Sequence, residues 1–275
     1  MNFNKRLDAA FQTAPTLPIF PSSKYVFMSD CHRGIGNSND NFLKNQHIYF
    51  AALKHYYNEG YTYIELGDGE ELWENQDISY VKEIYSNIYW LFSLFAQKNR
   101  LYLLFGNHDI EKKYYSSSDF TFYEGIVLKD SFSPKTFHLT HGHQVELLNS
   151  TLWKVARFLV RFLWKPLEQF GISNPTSAAK NYSIKKKAEQ RLEEWAKEHK
   201  TTIICGHTHR SVLEKNCPYY CNTGSCVHSR CITCIELKEE SLFLVKWSVE
   251  TKEDLSLFVS RTVLSGPIHF TEFIV

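Results

Sequence analysis

Short apolar runs that stop abruptly in polar clusters recur along the chain. Tyr25-Val26-Phe27-Met28 ends in Ser29-Asp30-Cys31-His32-Arg33-Gly34, and Tyr61 to Leu66 ends in Gly67-Asp68-Gly69-Glu70-Glu71-Leu72-Trp73. Leu101 to Phe105 ends in Gly106-Asn107-His108-Asp109, Thr136 to Thr140 in His141-Gly142-His143, and Thr201 to Cys205 in Gly206-His207-Thr208-His209. Runs this brief, rich in β-branched and aromatic residues, predict buried strands rather than helices. Between the first runs, residues 40–59 carry Phe42, Ile48, Phe50, Leu53, Tyr56 and Tyr57 at helical spacing, with Gly60 as the stop. A second helical stretch falls near 77–97. Strand, polar loop and helix in alternation predict βαβ units and a parallel sheet. Such sheets gather their loops, and their chemistry, at the carboxyl ends of the strands.

The flanks read differently. Residues 1–23 predict a short helix and then an irregular arm, because Pro15, Pro18 and Pro21 oppose regular structure. Residues 147–200 carry almost no strand signal and two or three helical ones, which marks a helical insertion. From Tyr219 the pattern predicts antiparallel β-structure, with a turn at 222–225 and strands over Cys231–Leu237 and Ser241–Val249.

Composition narrows the class. Of 275 residues, 43% are hydrophobic and 22% charged, as in a soluble globular domain with one sizeable core. The 20 Phe, 16 Tyr and 6 Trp predict aromatic core layers or an apolar substrate groove. A net charge of +1 gives no reason to expect nucleic acid as the partner. No apolar run follows the basic residues near Met1, and none is long enough to span a membrane. Seven cysteines, an odd number, then fit a reducing cytoplasm. Five of them fall between Cys217 and Cys234, but without paired C-x-x-C spacing they predict buried thiols rather than a zinc ribbon.

The five clusters supply carboxylates, an amide oxygen and imidazoles. This mixture of hard oxygen and borderline nitrogen donors suits Mn²⁺, Fe²⁺ or Zn²⁺. Seven such donors are too many for one ion. They suit two ions about 3.5–4 Å apart that share a carboxylate, an arrangement used in phosphoryl chemistry. In extended chain, residues two apart point the same way, so Asp30 and His32 are expected to face one ion. His207 and His209 share that spacing, although a sharper turn sends them to different ions.

The ordered set D-x-H, G-D, G-N-H-D, H-G-H and G-H-x-H resembles the calcineurin-like metallophosphoesterase family over most of the chain. The resemblance implies a four-layer α/β/β/α metallophosphoesterase sandwich of α/β class, one catalytic domain over 1–275 with a lid at 147–200. It implies one metal on Asp30, His32, Asp68 and His209, and a second on Asn107, His141 and His207, with Asp68 bridging. Two divalent ions, Mn²⁺ foremost, would activate a bridging hydroxide against a phosphoester. His108 would be the catalytic imidazole, oriented by Asp109. Arg33 is placed to meet a substrate phosphate or a surface carboxylate, and His143 to support a ligand or touch substrate.

Gly67-Asp68-x-x-Glu71-x-Trp73 is similar to the G-D-x-x-E-x-W form of the UDP-2,3-diacylglucosamine hydrolases, a branch acting on a nucleotide-diphospho-lipid. That likeness makes Glu71 and Trp73 candidate substrate contacts. The branch carries Arg where this chain has His108, and H-G-D where this chain has His141-Gly142-His143. A phosphodiester or diphosphodiester is therefore expected as substrate, with phosphomonoesterase, protein phosphatase or nuclease activity and a non-catalytic binding module as alternatives.

The insertion has its own pattern. Lys154, Arg157, Arg161 and Lys165 fall within about 80° on a helical wheel. Leu152, Trp153, Val155, Phe158, Leu159, Val160, Phe162, Leu163 and Trp164 fill the remainder, and Pro166 ends the helix. A broad apolar surface with a basic stripe predicts an interfacial helix or acyl-chain lid over 151–165, peripheral to a membrane face. A helix packed on the catalytic domain is the alternative. Lys185-Lys186-Lys187 reads as a solvated helix face.

Overall fold

The computed structural model describes residues 2–37, 40–75, 77–115, 120–160 and 182–273. Its strands are β1 (Thr16–Ile19), β2 (Tyr25–Met28), β3 (Thr62–Leu66), β4 (Leu101–Leu104), β5 (Phe122–Tyr123) and β6 (Gly125–Asp130). They continue with β7 (Thr136–Thr140), β8 (Thr202–Cys205), β9 (Tyr220–Asn222), β10 (Cys231–Lys238), β11 (Ser241–Thr251) and β12 (Leu257–His269). The helices are α1 (Phe3–Gln12), α2 (Gln46–Asn58), α3 (Ile78–Ile84), α4 (Ser86–Gln97), α5 (Leu147–Ser150), α6 (Trp153–Leu159) and α7 (Tyr182–Glu198). A seven-stranded sheet runs β12-β11-β10-β2-β3-β4-β5, and a five-stranded sheet runs β1-β6-β7-β8-β9.

Burial on both faces explains the continuous apolar strands, because alternate side chains feed two different cores. In β2, Val26 and Met28 pack toward α2 and α4, while Tyr25 and Phe27 pack between the sheets. In β8, Ile204 enters the layer between the sheets, and Ile203 and Cys205 face α7. The layers are thus helix, sheet, sheet, helix: the metallophosphoesterase sandwich. The aromatic surplus lies largely in the layer under α2 and α4, where Phe42, Tyr49, Tyr56, Tyr63, Tyr85, Phe92 and Phe95 are buried.

The parallel set β2–β3–β4–β5 agrees with the βαβ expectation. Four details differ. The N-terminal arm is not irregular: β1 pairs parallel with β6, with Pro18 opposite Lys129 at the sheet's edge. An edge strand has one side free of ladder bonds and so accepts proline. The helical stretch near 77–97 is two helices broken at Tyr85, whose hydroxyl donates to Asp40 at 2.6 Å. β9 pairs parallel with β8, since residues 206–219 form a crossover and not a hairpin. The antiparallel reading holds from β10 onward and extends into β12, which sequence patterning passed over. All seven cysteines are free thiols; of the five expected to be buried, Cys221, Cys226 and Cys234 are, whereas Cys217 and Cys231 are partly exposed.

His138 on β7 sits between Phe11 and Trp195, with Nδ1 2.8 Å from the Thr201 hydroxyl. Burial, helped by the nearby His199, pushes its pKa from 6.5 down to about 4. The unfolded chain therefore takes up this proton first, so acid favours unfolding. Unfolding free energies of wild type and His138→Gln should run parallel above pH 6.5. Between there and pH 4 the wild type should lose stability relative to the variant. Urea titrations across that range check the slope.

Candidate metal centre at the sheet edges

Parallel pairing in register carries β2, β3 and β4 to a common edge, and β7 and β8 reach the same edge from the other sheet. The loops that follow are tightly coiled. Asp30, His32, Asp68, His207 and His209 all have φ between 49° and 69°, a region that non-glycine residues rarely occupy. Such strain persists where the surrounding structure enforces it. The Asp30 amide donates to the Gly67 carbonyl (3.1 Å), that of His32 to the Asp68 carbonyl (2.9 Å), and that of Gly206 to the His141 carbonyl (3.1 Å). Asp30 and His32 converge through these left-handed turns and not through an extended strand, as their spacing alone suggested. Glycine is required where loops touch. A Cβ on Gly106 would lie 2.2 Å from Asp68 Oδ1, and one on Gly206 would lie 2.4 Å from Asp30 Oδ2.

The side chains form two adjoining groups, Asp30–His32–His209 and Asp68–His141–His207. His209 Nε2 lies 3.1 Å from Asp30 Oδ1 and 3.3 Å from His32 Nε2. Asp68 Oδ2 lies 3.1 Å from His141 Nε2 in one group and 3.8 Å from His32 Nε2 in the other. Asp68 thus adjoins both groups, while its Oδ1 accepts the His108 amide at 2.8 Å. The second histidine of the last motif departs from the first: His207 joins Asp68, and His209 joins Asp30.

The donor set fits cations. His141 Nδ1 lies 2.9 Å from the Leu66 carbonyl, which fixes the proton there and leaves Nε2 as a lone-pair donor. His32 Nδ1 is similarly tied to Glu71 Oε2 at 2.9 Å. His141 Nε2 and Asn107 Oδ1 are buried without a hydrogen-bond partner among the described residues. Buried polar atoms left in that state carry a desolvation penalty, which an ion would relieve. Electrostatics agree. Burial disfavours charge on His141, but Asp68 outweighs it and raises the imidazole to about 9. Burial likewise opposes charge on Asp68, yet the neighbouring His141 and His108 hold the carboxyl well below its usual range. A cation entering this pair would displace the imidazole proton.

A family model for the calcineurin-like phosphoesterases matches residues 23–211. The chain belongs to that family. Comparison with curated protein sequences gives no match. Among solved structures, Vps29 of Chaetomium thermophilum matches with a TM-score of 0.43 and 11% identity, over 88% of this chain and 95% of that one. Membership suggests metal-dependent phosphoester hydrolysis, and the phosphoesterase motifs meet in space as well as in order.

Several roles expected of the motif residues need correction. Asp109 does not orient His108. Its Oδ1 accepts the Gly106 amide at 2.6 Å, and its Oδ2 accepts the Gly69 amide at 2.9 Å and the Lys112 ammonium at 2.6 Å. Glu71 takes the orienting position, with Oε1 2.8 Å from His108 Nδ1. It also holds His32, so the third cluster, His32–Glu71–His108, consists of hydrogen bonds at ordinary distances. Glu71 is therefore not positioned as a free substrate contact. Arg33 meets neither substrate nor surface: fully buried, it forms a two-pronged pair with Glu65 at 2.7 and 2.8 Å and reaches Glu70 at 2.7 Å. His143 is 1% exposed with its ring 5.6 Å from His141, inside the protein wall and not in the cleft. Trp73, 4% exposed, stacks on His108 at 4.3 Å.

Sequence reading missed two groups, one buried and one largely so. Lys112 joins Asp109 and Glu70 beneath the loops, and Glu146 approaches His207. Neither lies in a recognisable motif; Lys112 is marked only by its i,i+3 spacing from Asp109. Lys112→Ala would leave the buried Asp109 carboxylate without a cation and Glu70 with Arg33 alone, with an expected cost of about 3–5 kcal/mol. Urea unfolding should show that loss, whereas the exposed Lys186→Ala should remain within about 0.5 kcal/mol of wild type.

Proposed function

We propose that the protein hydrolyses a phosphodiester or diphosphodiester bearing an apolar portion, with two divalent ions held by the paired groups. Asp30, His32, Asp68 and His209 would hold one, and Asn107, His141 and His207 would hold the other, with Asp68 shared. Mn²⁺ suits the mixed oxygen and nitrogen donors best, with Fe²⁺ or Zn²⁺ next. When bound, the ions would supply Lewis-acid charge to phosphoryl oxygens and lower the pKa of water.

His108 is the observation that carries the catalytic reading. Its side chain is 23% exposed and that of His209 20%, beside groups that are otherwise almost fully buried. Burial lowers its proton affinity, but Glu71 and Asp68 more than compensate and raise the pKa to about 9. An imidazolium tied at Nδ1 to Glu71 has Nε2–H left to donate to the leaving oxygen. Asp109 would contribute indirectly, by pinning the loops that carry Asp68 and His108.

The apolar requirement rests on the insertion, taken as 147–200. Trp153, Ala156 and Val160 pack inward; Ala156 and Val160 cover Trp73, which covers His108. Leu147, Leu152, Val155 and Phe158 are 41–61% exposed on the same segment. The described part of the helix is packed on one side and faces outward on the other. Arg157 pairs with Glu111, so the basic stripe is partly neutralised. Arg161, Phe162, Leu163, Trp164, Lys165 and Pro166 lie outside the described residues. Burial of each acyl methylene contributes about 0.8 kcal/mol, so a modest groove would favour a lipid-linked substrate. No helix among the described residues is long and apolar enough to cross a membrane, which leaves surface contact through 151–165 as the proposed mode.

Two measurements test this. His108→Ala should retain its ions by elemental analysis while turnover falls by roughly 10²–10⁴; loss of the ions instead would assign the imidazole to metal binding. Turnover of a lipid-linked nucleoside diphosphate should exceed that of its deacylated analogue at least about tenfold, equivalent to burial of two methylenes. Val155→Ser/Phe158→Ser should shrink the difference. Equal turnover of both compounds by wild type would remove the apolar requirement.

A further inference from the structure

Each imidazole beside the proposed ions must present one nitrogen and dispose of the other. Glu71 takes Nδ1 of His32 and of His108, and the Leu66 carbonyl takes Nδ1 of His141. His207 is held firmly by its backbone, with φ at 69° and its amide donating to Asp30 Oδ2 at 3.0 Å. Its Nε2 is buried and makes no hydrogen bond of good geometry. Glu146 faces that nitrogen with Oε2 at 3.4 Å. The Glu146 side chain is 12% exposed, its Oε1 is buried without a partner among the described residues, and its amide donates to the His143 carbonyl at 3.0 Å. Asn149 donates to Oε2 from the next helical turn.

We propose that Glu146 is a positioning residue for His207: it accepts Nε2–H and thereby presents Nδ1 to the second ion. The 3.4 Å separation exceeds the usual N–H···O distance by about 0.4 Å, as is common before a site is loaded. A direct ligand role fits less well, because Glu146 stands outside the group in which Asp68, His141 and His207 place donor atoms within 4.8 Å of one another. Glu146 directly precedes the insertion, and the insertion reaches the same loop from its far end. Glu189 on α7 accepts from Thr208 at 3.1 Å and from Arg210 at 2.7 and 3.0 Å.

The inference rests on the two-ion reading, but its first test does not. Long-range ¹H–¹⁵N NMR of the metal-free protein, with His207 assigned through His207→Gln, should show the Nε2–H tautomer. Glu146→Ala should lose that preference, and Glu146→Gln, whose amide oxygen still accepts, should keep it. A wild-type Nδ1–H tautomer, or an unchanged tautomer in Glu146→Ala, would overturn the assignment. Mn²⁺ titration by calorimetry should then show the weaker site about 10–100-fold weaker in Glu146→Ala, with the other site unchanged and Glu146→Gln intermediate. Equal loss at both sites would also overturn it. A wild type that binds a single ion would end the two-ion reading, and the tautomer would still decide the role of Glu146.

Discussion

The sheet edge depends on the placement of one carboxylate, Asp68. It lies against histidines of both groups, accepts the His108 amide, and adopts a left-handed backbone that returns its carbonyl to His32. Gly106 must lack a side chain for this carboxylate to fit. Below it, Asp109 gathers the Gly69 and Gly106 amides, and Lys112 neutralises Asp109. The chemistry-bearing loops are therefore set on a base of buried ion pairs: Lys112 with Asp109 and Glu70, and Arg33 with Glu65 and Glu70. Such pairs contribute little net stability against desolvation, but they strongly disfavour any arrangement that separates them.

The strands and the motif residues were legible because one physical rule writes both. A strand buried on two faces must be apolar throughout, so an abrupt polar cluster marks its end. Roles within the clusters were less legible. Asp109 adjoins His108 in sequence, yet Glu71, 37 residues away, makes the hydrogen bond. Adjacent side chains in a tight turn diverge, whereas parallel strands bring separate loops together. Arg33 looked like a surface cation because its two carboxylate partners come from the loop and strand beside it, and no periodicity encodes their meeting. The N-terminal prolines suggested an irregular arm because sequence does not reveal that one side of an edge strand needs no amide. The terminal β12 escaped because most of its length is exposed, so burial imposes no apolar pattern on it.

The insertion and the site share residues instead of merely touching. Trp73 belongs to the motif loop, stacks on His108, and is itself covered by Ala156 and Val160. At the other end α7 clasps Arg210 and Thr208 beside the final histidines. The position of the insertion and the order of the His108 imidazole are set by the same contacts.

The pairing of β2 with β10 has a consequence for how the protein is made. Phe27 lies opposite Ile235, and the Cys226 amide donates to the Asp30 carbonyl. A nascent chain therefore cannot close the strand that carries its first motif until residues beyond 235 have left the ribosome. Contacts of such sequence separation are reached late and slowly. During that wait the apolar faces of β2, β3 and β4 lie open, and the acidic and imidazole side chains of separate loops are free to capture stray metal ions one loop at a time.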